Sequence, residues 1–327
     1  MGKNLSFDGN YILHKNVFTL IKMNSLYGDF FRLMTNNVLK YTQMFNFDKI
    51  IIVSDSRRKS WRKRLLDKYK EHRKRDQEID WEWVFKSYLE WKQQMHEEYG
   101  IIILEAESVE GDDWISAIST STWKQGDCNV IISSDKDLLQ LLKWNDNQIN
   151  IQIEDGGGKE RVFFPTGYQI YLNSLDHEDN SDPFALNMVY EWDGLLHKLH
   201  DEWIPVEINP KQLLLEKLVK GDKGDNIDSV YQKMTKTGKM MGIGEAGATK
   251  VWERYVEDFD ENYDTKSPTF INRLAECVCV VNKLDFDTVG DGIVKKLSQN
   301  KSLIELHHRH WPEDIKEKIV EQLESVF

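Results

Sequence analysis

The sequence predicts an α/β fold: a mostly parallel central sheet flanked by helices, followed by a smaller, mostly helical C-terminal region. Two observations carry this. Four short apolar runs, residues 4–7, 49–53, 101–104 and 129–132, are separated by segments of helical pattern, and that alternation builds parallel β-α units. Beyond Pro210, a helical stretch over residues 211–219 is followed by glycine-rich turns and further amphipathic stretches.

Taken in order, the four runs are the buried strands of the sheet. Residues 148–153 and 161–164 read as a hairpin, with Gly156, Gly157 and Gly158 supplying its turn. Residues 175–183 are polar and read as loop. The length, 327 residues, suits one large domain or two modest ones, with a boundary expected near residue 208. Apolar residues at 40% and charged residues at 30% describe a folded, soluble chain rather than a disordered one. No apolar run approaches the roughly 18–20 residues of a membrane span, and the first ten residues carry no signal-peptide pattern. Cys128, Cys277 and Cys279 form neither a disulfide framework nor a zinc-type pair. A cytoplasmic monomer is expected.

Net charge is −12, yet residues 57–75 hold eleven Lys or Arg against Asp67 and Glu71, a local +9 that leaves −21 for the remainder. A basic block on an acidic chain points to a phosphate contact, with the acids reserved for another task; the bland alternative is a solvated basic helix. Trp81, Trp83, Phe85 and Trp91, close by, have the spacing of a buried helix face.

The acids are informative by position. Asp8 directly follows the first run, Asp55 follows the second, Asp135 and Asp137 follow the fourth, and Glu110, Asp112 and Asp113 come shortly after the third. The carboxyl ends of parallel strands open onto one crevice, so these side chains should converge. Singly, Asp8 suits a turn and Asp112 or Asp135 a helix cap. Together they would repel one another unless cations compensate, and hard divalent ions such as Mg²⁺ take oxygen ligands of this kind. Asp222 and Asp225, three apart, can share one side of a helical turn; that segment and Asp285-Phe286-Asp287 lack the twelve-residue ligand ladder of an EF-hand.

Asp8-Gly9-Asn10, Asp55, Tyr69-Lys70-x-x-Arg73, Glu110-Gly111-Asp112-Asp113, Ser134-Asp135-Lys136-Asp137-Leu138 and Gly221-Asp222-x-x-Asp225-Asn226-Ile227 resemble, in order, the motifs of the 5′-nucleases, the family of flap endonucleases and of the 5′-exonuclease domains of bacterial DNA polymerases. Trp61-Arg62, Asp80-Trp81-Glu82-Trp83 and the run from Lys220 to Asn226 extend the likeness to its T-even phage ribonuclease H members. The resemblance implies a PIN-like nuclease core with a basic helical arch over about residues 56–98. It implies Mg²⁺-dependent hydrolysis of RNA–DNA hybrid, duplex or flap DNA from the 5′ end by two ions, with Mn²⁺ able to substitute. Asp8, Asp55, Glu110, Asp112 and Asp135 would surround the first ion; Asp137, Asp222 and Asp225 the second; Asp113 would stand behind them. Lys70 and Arg73 resemble the catalytic arch residues at the scissile phosphate, and Tyr69 a base-stacking residue. Arg57, Arg58, Lys59, Arg62 and Lys63 would gather substrate. Gly242-Ile243-Gly244, with Lys250, resembles a helix–turn–helix element gripping duplex backbone.

Two departures stand out: residues 231–239 are inserted before Gly242, and residues 168–207 form a long stretch without a functional reading. The resemblance also implies replication partners, a single-strand-binding protein and a sliding clamp, with residues 322–327 readable as a clamp-binding tail or a plain helix end. The rival readings are a PIN-type ribonuclease, which needs no arch, and a non-catalytic DNA-structure-binding module, which would lack a carboxylate.

Overall fold

The computed structural model describes residues 2–44, 46–73, 76, 78–120, 127–145, 148–156, 159–168, 203–261 and 263–327. They form two compact units. The first comprises Met1–Ser60, Asp76–Ile208 and Leu306–Phe327, the second Trp61–Arg75 and Asn209–Glu305. A single cut near residue 208 therefore misses two exchanges: the basic segment joins the second unit and the C-terminal helix the first.

In the first unit, β1 (Lys3–Asp8), β2 (Lys49–Val53), β3 (Ile102–Leu104), β4 (Asp127–Ile132), β5 (Lys143–Asn145), β6 (Gln148–Gly156), β7 (Lys159–Pro165) and β8 (Ile204–Ile208) form one sheet. The order is β3-β2-β1-β4-β6-β7-β8, with β5 paired to β6. The β3-β2-β1-β4-β6 stretch is parallel throughout. β6 and β7 pair antiparallel, as the glycine run predicts; Gly157 and Gly158 lie outside the described residues, as does the loop expected over 175–183. β5 and β8 went unread in the sequence. Runs such as Ile50-Ile51-Ile52-Val53 suit strands covered on both faces. Asn4, Asn129 and Asn150 form a buried ladder across β1, β4 and β6, with bonds of 3.0 and 2.7 Å. It ends on the Ser119 and Leu141 carbonyls. A one-residue slip would leave these amides unpaired in the core, so the ladder helps fix the register that aims the strand ends.

Helices α1 (Gly9–Lys22), α2 (Leu26–Met44), α3 (Trp81–Tyr99) and α4 (Gly111–Thr120) belong to this unit, as does the terminal helix Glu313–Val326. Asp80 caps α3 through the Trp83 N–H, and Gly100 ends it at φ +65°, a left-handed position suited to glycine. Trp91, Val84 and Met95 are sealed in the core, with Trp81, Trp83 and Phe85 packed against it. At the C-terminus Gln322 donates to the Glu105 carbonyl and Leu323 is buried. Residues 322–327 thus finish a docked helix.

Of the arch expected over about residues 56–98, the part from Trp81 onward is helix α3 and the basic part before it is, among the described residues, not an α-helix. Among the described residues from Arg57 to Arg73, the only helix is the 3₁₀ turn Trp61–Arg64; α3 begins at Trp81. Like charges at i, i+3 and i+4 oppose an α-helix over this block. The second unit contains helices Pro210–Lys220, Glu245–Asp258, Phe270–Asn282 and Phe286–Ile304. Asn209 and Asp285 cap two of them, which explains Asp285 without an ion. The inserted residues form a two-stranded ribbon, β9 (Gln232–Met234) and β10 (Met240–Gly242).

Candidate active site

In the first unit β1 lies between β2 and β4, so the chain leaves β1 toward one side of the sheet and returns on the other. Such a switch opens a crevice at the carboxyl ends of the strands, and Asp8 stands at it. Its Oδ1 accepts the Tyr11 N–H at 3.0 Å and its Oδ2 the Ser133 hydroxyl at 2.7 Å. Ser133 Oγ in turn accepts the Asp135 N–H at 3.0 Å. Gln152 holds this corner from below, donating to the carbonyls of Ser133 and Asp135. Asp135 Oδ1 accepts the Asp137 N–H and so caps the 3₁₀ turn Lys136–Leu141.

Asp55 is exposed, and its Oδ1 accepts the Gly111 N–H at 2.7 Å. A β-carbon at Gly111 would come 3.3 Å from that oxygen, so glycine lets α4 approach the carboxylate. Asp112 is half-buried and Glu110 buried. Asp113 is sealed from solvent, and its carboxylate folds back on the Glu110 N–H at 3.1 Å. It supports the Glu110 backbone.

The electrostatics agree with this crowding. Burial pushes Asp8 up to about 6; hydrogen bonds from Tyr11 and Ser133 oppose the rise, and the charges of Asp55 and Asp135 add to it. A carboxylate held this high is short of positive charge. An all-oxygen donor set of this kind fits a hard divalent cation, which would restore the balance.

Beneath the crevice lies a polar network that sequence reading missed. Lys92 of α3 is 5% exposed, pairs with Glu105 and reaches Ser54 Oγ at 3.4 Å. Ser54 Oγ is 3.0 Å from Tyr88 Oη. A β-carbon at Gly9 would lie 2.2 Å from that Oη and 2.4 Å from the Val53 carbonyl. The glycine after Asp8 is thus set by close approach of the chain to β2 and α3. Nothing in the spacing of a lysine within an amphipathic helix marks it as buried; Ser133, next to the Ser134-Asp135 motif, was the findable member.

In the second unit, Asp222 caps a 3₁₀ turn through the Gly224 N–H at 2.7 Å and pairs with Lys217 at 2.7 Å. Burial would raise its carboxyl, but Lys217 and backbone N–H groups outweigh that and hold it below the usual range. Asp225 is 8% exposed and binds the Arg73 guanidinium, whose Nε also donates to the Gly224 carbonyl. Lys70 sits at φ +53° with its N–H on the Asp225 carbonyl. Asn226 donates to the Lys68 carbonyl. The two motifs thus hold each other, and Gly221, at φ +71° against the Ile227 carbonyl, closes the loop.

Two expected nucleic-acid contacts are corrected. Tyr69 is 3% exposed and belongs to the core of the second unit, so no ring face is open to a base. Arg62 is 2% exposed, donates to the Leu303 carbonyl at 3.0 Å and lies over the Trp61 ring. Both fill apolar space that the surrounding cations hid in the sequence. Arg57, Arg58 and Lys59 are exposed, Arg58 beside Glu107; Lys63 is half-buried and bonds the Asp67 carbonyl. Gly242 is pressed against Ser229, whereas a β-carbon at Gly244 would meet nothing within 4 Å. Lys250 is exposed on the helix that Gly244 begins.

Comparison with known proteins agrees with this arrangement. Residues 3–164 match the family model of the 5′-3′ exonuclease N-terminal, resolvase-like domain. A 5′-3′ exonuclease of Mycoplasmopsis pulmonis is 24% identical over 267 residues, covering 82% of this chain and 71% of that protein. A flap endonuclease of Shewanella denitrificans is 38% identical over 96 residues, 29% of this chain and 36% of its own length. Among solved structures, T5 5′-exonuclease with bound divalent zinc superposes with a TM-score of 0.55 at 15% identity over 98% of both chains, which shows the shared fold. Six ordered motifs, a sheet that brings the Asp55 and Asp135 charges to bear on Asp8, and these relatives agree: the chain belongs to the 5′-nuclease family.

Proposed function

We propose that this chain is a divalent-metal-dependent 5′→3′ nuclease, hydrolysing phosphodiesters of RNA–DNA hybrids, duplexes and 5′ flaps. The observation that carries the reading is the Asp8–Ser133–Asp135 corner at the sheet's switch point, where the charges of Asp55 and Asp135 act on a half-buried, desolvated Asp8.

Asp8, Asp55, Glu110, Asp112 and Asp135 are the proposed ligands of one ion, with Mg²⁺ as the natural metal; Asp137 is a further candidate ligand in the first unit, and Asp222 and Asp225 are the second unit's own candidates. When bound, such ions supply an activated water and offset charge on the phosphoryl oxygens. The chain's own part is orientation. Ser133 and the Tyr11 N–H fix the Asp8 carboxylate, Gly111 fixes Asp55, and Asp113 fixes Glu110. Lys70 and Arg73 add positive charge to the reacting phosphate, where charge developing in the transition state makes it count most. Arg57, Arg58 and Lys59 attract the single-stranded 5′ end. Primer removal in replication, in a bacterial cytoplasm alongside a single-strand-binding protein and a sliding clamp, belongs to the same reading. No helix among the described residues is long and apolar enough to cross a membrane.

The test is cleavage of RNA–DNA hybrid, nicked duplex and flap substrates labelled at either end, with Mg²⁺ or EDTA. Metal-dependent release of short 5′-labelled products supports the reading. Cleavage confined to single-stranded RNA would favour a PIN-type ribonuclease, and binding without cleavage a non-catalytic module.

A further inference from the structure

The inserted ribbon of the second unit has a surface unlike the rest of the chain. Met234, Met240 and Met241 are 69%, 50% and 52% exposed. From Gln232 to Gly244 there are three lysines, Lys233, Lys236 and Lys239, and no acid, in a chain of net charge −12. The pairing sorts these side chains by face. Met234 lies opposite Met240, and Lys233 opposite Met241, so each pair shares a face. At the tip the Thr235 N–H bonds the Lys239 carbonyl at 2.8 Å, and Gly238 turns the chain at φ +79°.

The ribbon's base is fixed. Ile243, buried, donates its N–H to Ser229 Oγ at 2.9 Å, and Gly242 packs on the Ser229 side chain. The next residue, Gly244, opens the helix Glu245–Asp258 without a side-chain cap. The cationic, apolar-faced ribbon is therefore rigidly continuous with the open Gly244 turn.

We propose that this ribbon is a second grip on duplex nucleic acid. Its lysines meet phosphates, and Met234 and Met240 lie against sugars and base edges in a groove. A two-stranded ribbon is narrow enough to enter one, and apolar side chains pressed between base steps are a known way to hold a bent duplex. Charge decides the occupant: three uncompensated lysines on an acidic protein suit a polyanion better than a second acidic copy of the chain. This inference rests on the nuclease reading but concerns affinity, not the chemical step.

The test uses the full chain, with binding to a nicked duplex measured in EDTA across a salt series and cleavage measured separately with Mg²⁺ at saturating substrate. Replacing Lys233, Lys236 and Lys239 with Ser should weaken duplex binding on the order of tenfold and flatten the salt dependence by about 2 to 3 in slope. The pair Met234→Ser and Met240→Ser should weaken binding with the slope unchanged. Neither set touches a buried residue, so melting temperatures should hold. Wild-type affinity and slope in both sets would overturn the proposal, as would a methionine variant that alters only self-association in sedimentation. A wild-type chain that binds no nucleic acid overturns the nuclease reading along with it, whereas ribbon variants of normal affinity leave that reading standing.

Discussion

Asp8→Asn offers a test that needs no substrate. The wild-type carboxyl is raised from 3.8 to about 6. A carboxylate whose folded pKa lies above its unfolded one costs stability fully at pH above the folded value, and the cost vanishes below the unfolded value. At about 1.36 kcal/mol per unit, the ionised group costs the metal-free protein about 3 kcal/mol at pH 7.5 and nothing near pH 3.5. Asparagine removes the charge and keeps an acceptor for the Tyr11 N–H, but it presents an NH₂ to the Ser133 hydroxyl, which must turn away. That rearrangement costs about 1 kcal/mol. In EDTA at pH 7.5 the variant should therefore be more stable than wild type by about 2 kcal/mol, with the advantage shrinking below pH 6 and reversing near pH 4. Denaturant titrations in EDTA from pH 4 to 8, followed by tryptophan fluorescence, measure the difference. Adding Mg²⁺ should invert the order at pH 7.5, because the wild type gains more binding energy. A pH-independent difference, or a variant less stable in EDTA at pH 7.5, would refute the account of a charge-starved crevice.

Three further outcomes follow from the geometry. Arg62→Ala should lower stability by about 2 kcal/mol, by removing a buried side chain and its bond to the Leu303 carbonyl, whereas Arg58→Ala should leave melting unchanged and weaken substrate capture; the reverse pattern would return Arg62 to the binding surface. Gly9→Ala should cost more than about 3 kcal/mol, since the Val53 carbonyl is backbone and cannot yield as a side chain can; thermal melting decides it. Lys70→Ala should slow single-turnover cleavage at saturating substrate more than it weakens binding, and a change in affinity alone would remove the catalytic role proposed for it.

Much of the nuclease fold was legible because the first four parallel strands are short, mostly apolar runs, β2 and β3 rich in isoleucine, each ending in an acid or followed closely by one. β5 escaped because it is only three residues long, and β8 because Ile204–Ile208 is mostly exposed and follows no apolar-run pattern. The basic segment misled for a specific reason. Eleven cations suggest a solvated, substrate-facing surface, but Trp61 and Tyr69 are buried and Leu66 packs against the core that holds Tyr69, which anchors the segment inward. Arg62 follows Trp61 into that interior. Lys92 could not be read at all, because its burial depends on Glu105, thirteen positions away and on another element.

Several of the proposed ligands are already helix caps within the fold. Asp8 caps α1, Asp135 and Asp222 cap 3₁₀ turns, and Asp113 holds the N–H of Glu110. Each capping oxygen is fixed by a backbone N–H before any ion arrives, and the remaining lone pairs point where the local turn aims them. A cap bond favours the ionised carboxylate, so it keeps Asp8 from rising further when its neighbours would otherwise protonate it. On the proposed function the two roles become one device: capping sets orientation and charge state, and for Asp8 and Asp135 the strand ends set position. Asp113 completes the logic from the opposite side. Fully buried, it accepts the Glu110 N–H and so holds the Glu110 backbone in place.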